Sequence, residues 1–368
     1  MQVLAETRAK QPSEAEGMVL ADIRPIWLPG PEDIVIDHRT GWAYVASQAR
    51  PPGGLAAIMR LQGAIYGLDL KQDRPQPINI TDPLFARDFS VLDEAAAVGR
   101  EPFVRPKGGF HPGGISLFSG EDGSKRLFAV NRRDTAHTTV EIFDVSENRL
   151  THLRTIADDD NLISVNDLVA VGPEQFYATN DHGFSSALLQ NMELVLHYLP
   201  HLHFGSVVYF DGSEFTKVAE SLAFPNGIAV DRDGGWLYVA SVWGKKLIAA
   251  KWNSDEKPAP LTFSREIPLG CLPDNLEWDV DGALWIGAHP DFLALGTFMF
   301  GLREKSPSRV IRLTNPADDH PGQAIWEDDG TRISSLSVAG LYKRADGRKR
   351  LLLGAAFDDR MLLGELSG

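Results

Sequence analysis

Residues 164–184 read SVNDLVAVGPEQFYATNDHGF. An Asn-Asp pair opens an apolar run, a Gly-Pro turn follows, and a second run of aromatic and small residues closes in another Asn-Asp. Each run is short, rich in β-branched or aromatic residues, and bounded by Gly, Pro, Asn and Asp. That is the composition of two antiparallel strands joined by a tight turn. Carboxylates and amides at the ends of strands otherwise made for a core need a reason, and the rest of the chain supplies it by repetition.

The same two-strand pattern occurs six times. The late strands read GWAYVAS (41–47), KRLFAVN (125–131), EQFYATN (174–180), GWLYVAS (235–241), ALWIGAH (283–289) and KRLLLGA (349–355). The early strands before them read PEDIVID (31–37), GGISLF (113–118), VNDLVAV (165–171), PNGIAV (225–230), PDNLEWD (273–279) and SSLSVAG (334–340). Six sheet-forming units, about 50–80 residues apart, predict a radial array with one blade per repeat. The expected fold is all-β, a six-bladed β-propeller. A two-sheet sandwich is the other architecture such strands allow, but it does not account for six similar polar strand starts.

In a propeller the innermost strands line a central channel, so equivalent strand ends converge on the axis. Those ends carry Glu32–Asp33, Gly113–Gly114, Asn166–Asp167, Asn226–Gly227, Asp274–Asn275 and Ser334–Ser335. Crowded carboxylates must take up protons or hold a cation, because their mutual repulsion is large at low dielectric. A set of Asp, Glu and Asn oxygens without thiolates is what a hard cation such as Ca²⁺ prefers. Zinc is disfavoured, since the histidines are scattered rather than spaced as ligands. The alternative is that each Asn or Asp merely caps a turn, which explains one pair but not four at equivalent positions.

Composition agrees. The 368-residue chain is 43% hydrophobic and carries 50 acidic against 36 basic residues, a net charge of −14. That balance argues against nucleic acid and anionic membrane surfaces as partners. Cys271 is the only cysteine, so an intrachain disulfide is impossible. The opening MQVLAETRAKQPSEAEGM is polar and lacks the apolar core of a leader peptide, so a cytoplasmic location is expected. No run of uncharged apolar residues is long enough for a membrane-spanning helix. One propeller domain is expected over residues 21–368, behind a polar segment over 1–20. Within it, residues 185–200 (SSALLQNMELVLHYLP) break the strand pattern. There Leu188, Leu189, Met192, Val195, Leu196 and Leu199 fall at helical spacing before Pro200. This predicts a helical insert, about 185–204, near the channel mouth. The long interval 48–110 is expected to supply outer strands and a loop over the same face.

The stretch from about Glu32 to Leu366 resembles the paraoxonase/arylesterase family of calcium-dependent six-bladed propellers, within the wider gluconolactonase and senescence-marker-like superfamily. The likeness is most specific in SVNDLVAVGPEQFYATNDH, and FPNGIAV, LPDNLEWD, LWIGAHP, GGIS and TVEIFDV support it. The resemblance implies two Ca²⁺ ions. A catalytic one would be held by Glu32, Asn166, Asn226, Asp274 and Asn275. A deeper structural one would be held by Asp33, Asp167 and the main-chain oxygen of Ile115. It also implies hydrolysis of small-molecule lactones, aryl esters and, in some members, organophosphates, with the solvent-side ion stabilising the oxyanion as water attacks.

Three departures accompany it. The family's PHGIS, whose histidine is taken as the base, is PGGIS here, with Gly113 in the histidine's place. Its supporting histidine is Arg132, in AVNRRD. The family disulfide cannot form. Candidates for the missing base are Asp274 and Glu32, whose second carboxylate oxygen can face water, and His111, two residues before Gly113. His182 and His289 are expected to order the blade and the pocket wall, and Arg132 and Arg133 to place positive charge near the pocket. The leading function is thus a calcium-dependent esterase/lactonase. The alternatives are a sugar-lactonase-like or strictosidine-synthase-like enzyme and a non-catalytic, calcium-stabilised binding propeller.

Overall fold

The computed structural model describes residues 17–50, 62–86, 109–132, 138–146, 149–186, 189–190, 202–253, 260–316 and 322–368. They form six separate four-stranded antiparallel sheets, a six-bladed β-propeller. Blades one to five each run outward in chain order, from the early strand of the repeat through the late strand to two outer strands. The inner strands are Pro31–Asp37, Pro112–Ser119, Val165–Ala170, Pro225–Asp231, Leu272–Trp278 and Leu336–Lys343. Each touches the inner strand of the next blade, and the sixth touches the first, so the six close a ring about the axis.

The sixth blade is closed by both ends of the chain. Its outermost strand, Val19–Trp27, pairs antiparallel with Arg360–Ser367, from Val19 opposite Ser367 to Trp27 opposite Arg360. The strand begins inside the stretch expected to precede the propeller. Arg350, 1% exposed, ties the joint: its Nη1 donates to Leu70 O at 2.7 Å and its Nε to Glu365 Oε1 at 2.9 Å, linking blade one to blade six.

Among the described residues there is no single central core. The alternating apolar residues of each blade pack against the next blade in six wedges. One joins Phe128, Val130 and Ile142 of blade two to Leu168, Phe176 and Phe210 of blade three. Another joins Ile34, Val45 and Leu68 of blade one to Val338, Leu352 and Leu363 of blade six. Burying one such side chain fully contributes about 1.5–3 kcal/mol. The wedges therefore hold the blades together while the axis stays polar.

Of the helix expected over 185–200, Leu189 and Gln190 are helical; residues 187–188 and 191–201, with Leu188, Met192, Val195, Leu196, Leu199 and Pro200, lie outside the described residues. From the interval 48–110, Ala64–Asp69 and Ile78–Asn79 complete blade one; 51–61 and 87–108 lie outside the described residues. A helix the sequence reading did not anticipate covers Phe292–Met299, capped by Asp291, whose Oδ1 accepts from Ala294 N at 3.0 Å. Among the described residues no helix is long and apolar enough to cross a membrane.

Candidate active site and cation channel

A register break lies at the start of every inner strand: between Pro31 and Asp33, Pro112 and Ile115, Val165 and Leu168, Pro225 and Ile228, Pro273 and Leu276, and Leu336 and Val338. Such bulges release one or two residues from the ladder and re-aim them. The released residues are Glu32, Gly113–Gly114, Asn166–Asp167, Asn226–Gly227, Asp274–Asn275 and Ser337. In blade six the bulge therefore carries Ser337 and not the expected Ser334–Ser335, which precede the strand. Ser337 Oγ donates to Glu32 O at 2.6 Å. Glycine permits the strands to close up. A Cβ on Gly114 would lie 2.3 Å from Asp167 Oδ1, and one on Gly227 would lie 2.4 Å from Asp274 O.

The deeper half of the channel holds Asp33 and Asp167. Asp33 accepts from Ile34 N at 2.9 Å and Ile115 N at 2.7 Å; Asp167 accepts from Leu168 N at 2.7 Å and Ile228 N at 3.0 Å. Burial and then the charge of Asp167 push the Asp33 carboxyl well above its usual range. Burial, with the charges of Asp274 and Glu32, lifts Asp167 to about 7. Glu277 follows for the same reasons, burial and the charge of Asp167, to about 8. These three carboxyls line one cavity of about 160 Å³, with Arg232 in its wall.

Glu32, Asn166, Asn226, Asp274 and Asn275 stand at equivalent bulges at the starts of their inner strands. Asn275 Nδ2 donates to Glu32 O at 3.1 Å, and Asn166 Nδ2 donates to Asp181 Oδ2 at 2.9 Å. The amide oxygens Asn226 Oδ1 and Asn275 Oδ1 are buried without a hydrogen-bond partner. Among the described residues, no three His, Cys, Asp or Glu side chains cluster as a metal-binding group. The candidate donors are instead carboxylates mixed with amide and main-chain oxygens.

Glu32 is ion-paired with Arg50, and its Oε1 lies 3.4 Å from Arg132 Nη1. Burial would raise its carboxyl, but the two guanidinium charges and their hydrogen bonds hold it below the usual range. Asp274 Oδ2 lies 2.9 Å from His289 Nε2, and His289 Nδ1 is buried without a partner. Sequence reasoning had placed His289 only in the pocket wall; no spacing signal marks the pair, which lies 15 residues apart across two strands. His111 is 4% exposed; its Nδ1 meets Gln48 Nε2 at 2.9 Å and its main-chain N–H donates to Asn131 Oδ1 at 2.9 Å. Asn131 in turn donates to Glu141, which His152, Thr139 and Thr155 also bond. His111 thus belongs to the polar network of blade two. His182 stacks edge-on against Phe224 at 5.1 Å. Arg133 lies outside the described residues.

The same end of the channel carries a run of half-buried rings. Phe224 packs on Trp243 at 6.0 Å and Trp243 on Phe292 at 4.8 Å between ring centres. Phe224 immediately precedes Pro225 and Asn226, Trp243 follows the strand paired to them, and Phe292 follows His289 by three residues. The rings therefore border the ligand-bearing strand ends.

The arylesterase family model matches residues 31–366. Human serum paraoxonase/arylesterase 1 is 32% identical over 354 residues, covering 92% of this chain and 89% of that protein. Mouse serum paraoxonase/lactonase 3 is 31% identical over 332 residues, 89% of this chain and 84% of that protein. Among solved structures, a luciferin-regenerating enzyme superposes with a TM-score of 0.50 at 12% identity, covering 95% of each chain. The aldose sugar dehydrogenase of Streptomyces coelicolor does so with a TM-score of 0.52 at 14% identity, covering 97% and 99%; these two likenesses concern the fold alone. With a family match over most of its length and relatives above 30% identity, the chain belongs to the arylesterase family, as an esterase/lactonase.

Proposed function

We propose that the chain is a calcium-dependent hydrolase of aryl esters and lactones that binds one ion at each level of the channel. The carrying observation is the pair of buried, unpartnered amide oxygens, Asn226 Oδ1 and Asn275 Oδ1, beside Glu32 and Asp274. A buried acceptor left unsatisfied costs about 1–3 kcal/mol, and two in one site fit a hard cation held by oxygens. Among the described residues, Asp33 and Asp167 have only main-chain N–H donors against their mutual repulsion, which also fits a cation. When bound at the solvent side, Ca²⁺ supplies Lewis acidity toward the carbonyl or phosphoryl oxygen of the substrate.

The chain's own residues do the rest. An ionised Asp274 only accepts, so His289 carries its proton on Nε2 and presents Nδ1 as an acceptor. Nδ1, buried and without a partner, is the ring's free acceptor, and the Nε2 contact holds the ring against Asp274. Glu32, held by two arginines, serves charge balance and ligation rather than proton transfer. His111, fixed by Gln48, is the weaker base. The rings of Phe224, Trp243 and Phe292 offer an apolar wall for an aryl leaving group.

The test measures kcat/KM for a phenyl ester, a δ-lactone and a phosphotriester, with calcium and after chelation. Chelation should remove activity and readdition restore it. His289→Gln should lower kcat/KM by roughly 10²–10⁴-fold, while His111→Ala changes it far less. Full turnover by chelated protein with no calcium in elemental analysis refutes the proposal, and hydrolysis of none of the three by calcium-loaded protein leaves the binding-propeller alternative.

A further inference from the structure

Two guanidinium groups stand at the solvent-side end of the channel. Arg132 ends the strand Lys125–Arg132 and turns its side chain across the channel. Its Nε donates to Val165 O at 3.2 Å, its Nη2 to Asn166 O at 3.2 Å, and its Nη1 faces Glu32 Oε1 at 3.4 Å. Arg50 takes the other oxygen of Glu32. A Cβ on Gly113 would lie 3.3 Å from Arg132 Cζ, so the glycine leaves the volume that the guanidinium fills. By contrast, both oxygens of Asp33 and Asp167 receive main-chain N–H groups, with no side-chain cation bonded to either among the described residues.

The two levels of the channel thus differ in charge balance. Below, no guanidinium or ammonium group of the described residues bonds either aspartate; above, Glu32 is already paired with two fixed positive charges. A second cation on Glu32 has to displace or tolerate them, and like charges a few ångströms apart repel strongly in a partly buried site. We propose that Arg132, seconded by Arg50, acts as a built-in counter-cation that weakens calcium binding at Glu32, Asn226, Asp274 and Asn275. The solvent-side step is then weaker than its oxygen ligands alone would make it. This rests on the calcium reading above and concerns the arginines' role in setting affinity, not their catalytic use.

Isothermal titration of CaCl₂ into chelator-stripped protein tests it without reference to activity. The wild type should show two steps whose affinities differ by about 100-fold or more. Arg132→Gln should tighten the weaker step at least tenfold and move the tighter one far less, whereas Arg132→Lys, which keeps the charge, should do neither. If Arg132→Gln does not fold, Arg50→Gln should move the weaker step in the same direction. Two equal steps in the wild type, unmoved by either substitution, overturn the proposal and leave the calcium reading standing. Loss of the weaker step in Arg132→Gln overturns it too, since the arginine then builds the site. Absence of any calcium binding in all variants removes the calcium reading itself and the proposal with it.

Discussion

At Gly113, the missing side chain and the neighbouring guanidinium are one feature. Arg132 Cζ lies 3.3 Å from where a Cβ would sit, so a bulky residue at 113 and an extended arginine at 132 compete for one volume. The resemblance places a histidine at each of these two positions, and here both are exchanged together. Gly113→His alone should therefore not raise δ-lactone kcat/KM, because the new ring meets Arg132 and its bonds to the Val165 and Asn166 carbonyls. Gly113→His with Arg132→His frees the volume and should raise it at least tenfold, within the range a positioned base supplies, with the effects far from additive. Steady-state kinetics on the three variants decide; a single substitution as active as the double would mean the two side chains do not interfere.

The working element is the bulge at the top of each inner strand. It releases one or two residues from the ladder at the channel and so re-aims them relative to the residues that stay paired. Glu32 and Asp33 illustrate it: one meets Arg50 and Arg132 at the solvent side, the next meets Ile34 N and Ile115 N below. A second element carries stability. Val19–Trp27 is the fourth strand of blade six, and without it Arg360–Ser367 becomes an open edge. Removal of residues 1–27 exposes the apolar faces of Leu362 and Leu366 as well. The truncated protein should melt at least several degrees lower and associate in size-exclusion chromatography. An unchanged monomeric melt would show that the ring closes without that strand.

Across the whole molecule, the channel links acidity to stability. Asp33, Asp167 and Glu277 have carboxyls raised in the folded chain, Asp167 to about 7 and Glu277 to about 8. The folded state then holds protons that the unfolded chain has lost above about pH 4. The stability these groups contribute is complete below that pH and is lost as pH rises through 7 and 8. Chelated protein should accordingly lose melting temperature steadily from pH 5 to pH 8. On the calcium proposal, a cation between Asp33 and Asp167 would take the place of the protons, so added calcium should stabilise little at pH 5 and by several degrees at pH 8. Thermal melts at the four combinations test this; a calcium effect that shrinks as pH rises contradicts the buried-carboxylate account.

Local pattern alone settled the six blades. Each repeat carries its own two apolar runs and its own turn, as in VNDLVAV and EQFYATN, and wedge packing needs only that each run alternate or be wholly apolar. The polar pairs at strand starts were equally legible, because residues without a hydrophobic reason stand out against such runs. The bulge itself was not, and Ser337 in place of Ser334–Ser335 shows why: a register break depends on hydrogen bonds to a partner strand, which one strand's sequence does not specify. The short helix Phe292–Met299 carries little signal for a similar reason, being only eight residues long. The pairing of Asp274 with His289, the two guanidinium groups on Glu32 and the unpartnered oxygens of Asn226 and Asn275 were decided by the closed ring. They join residues from different strands and blades, and the strength of each interaction depends on burial and distance, which arise only when six blades meet around one axis.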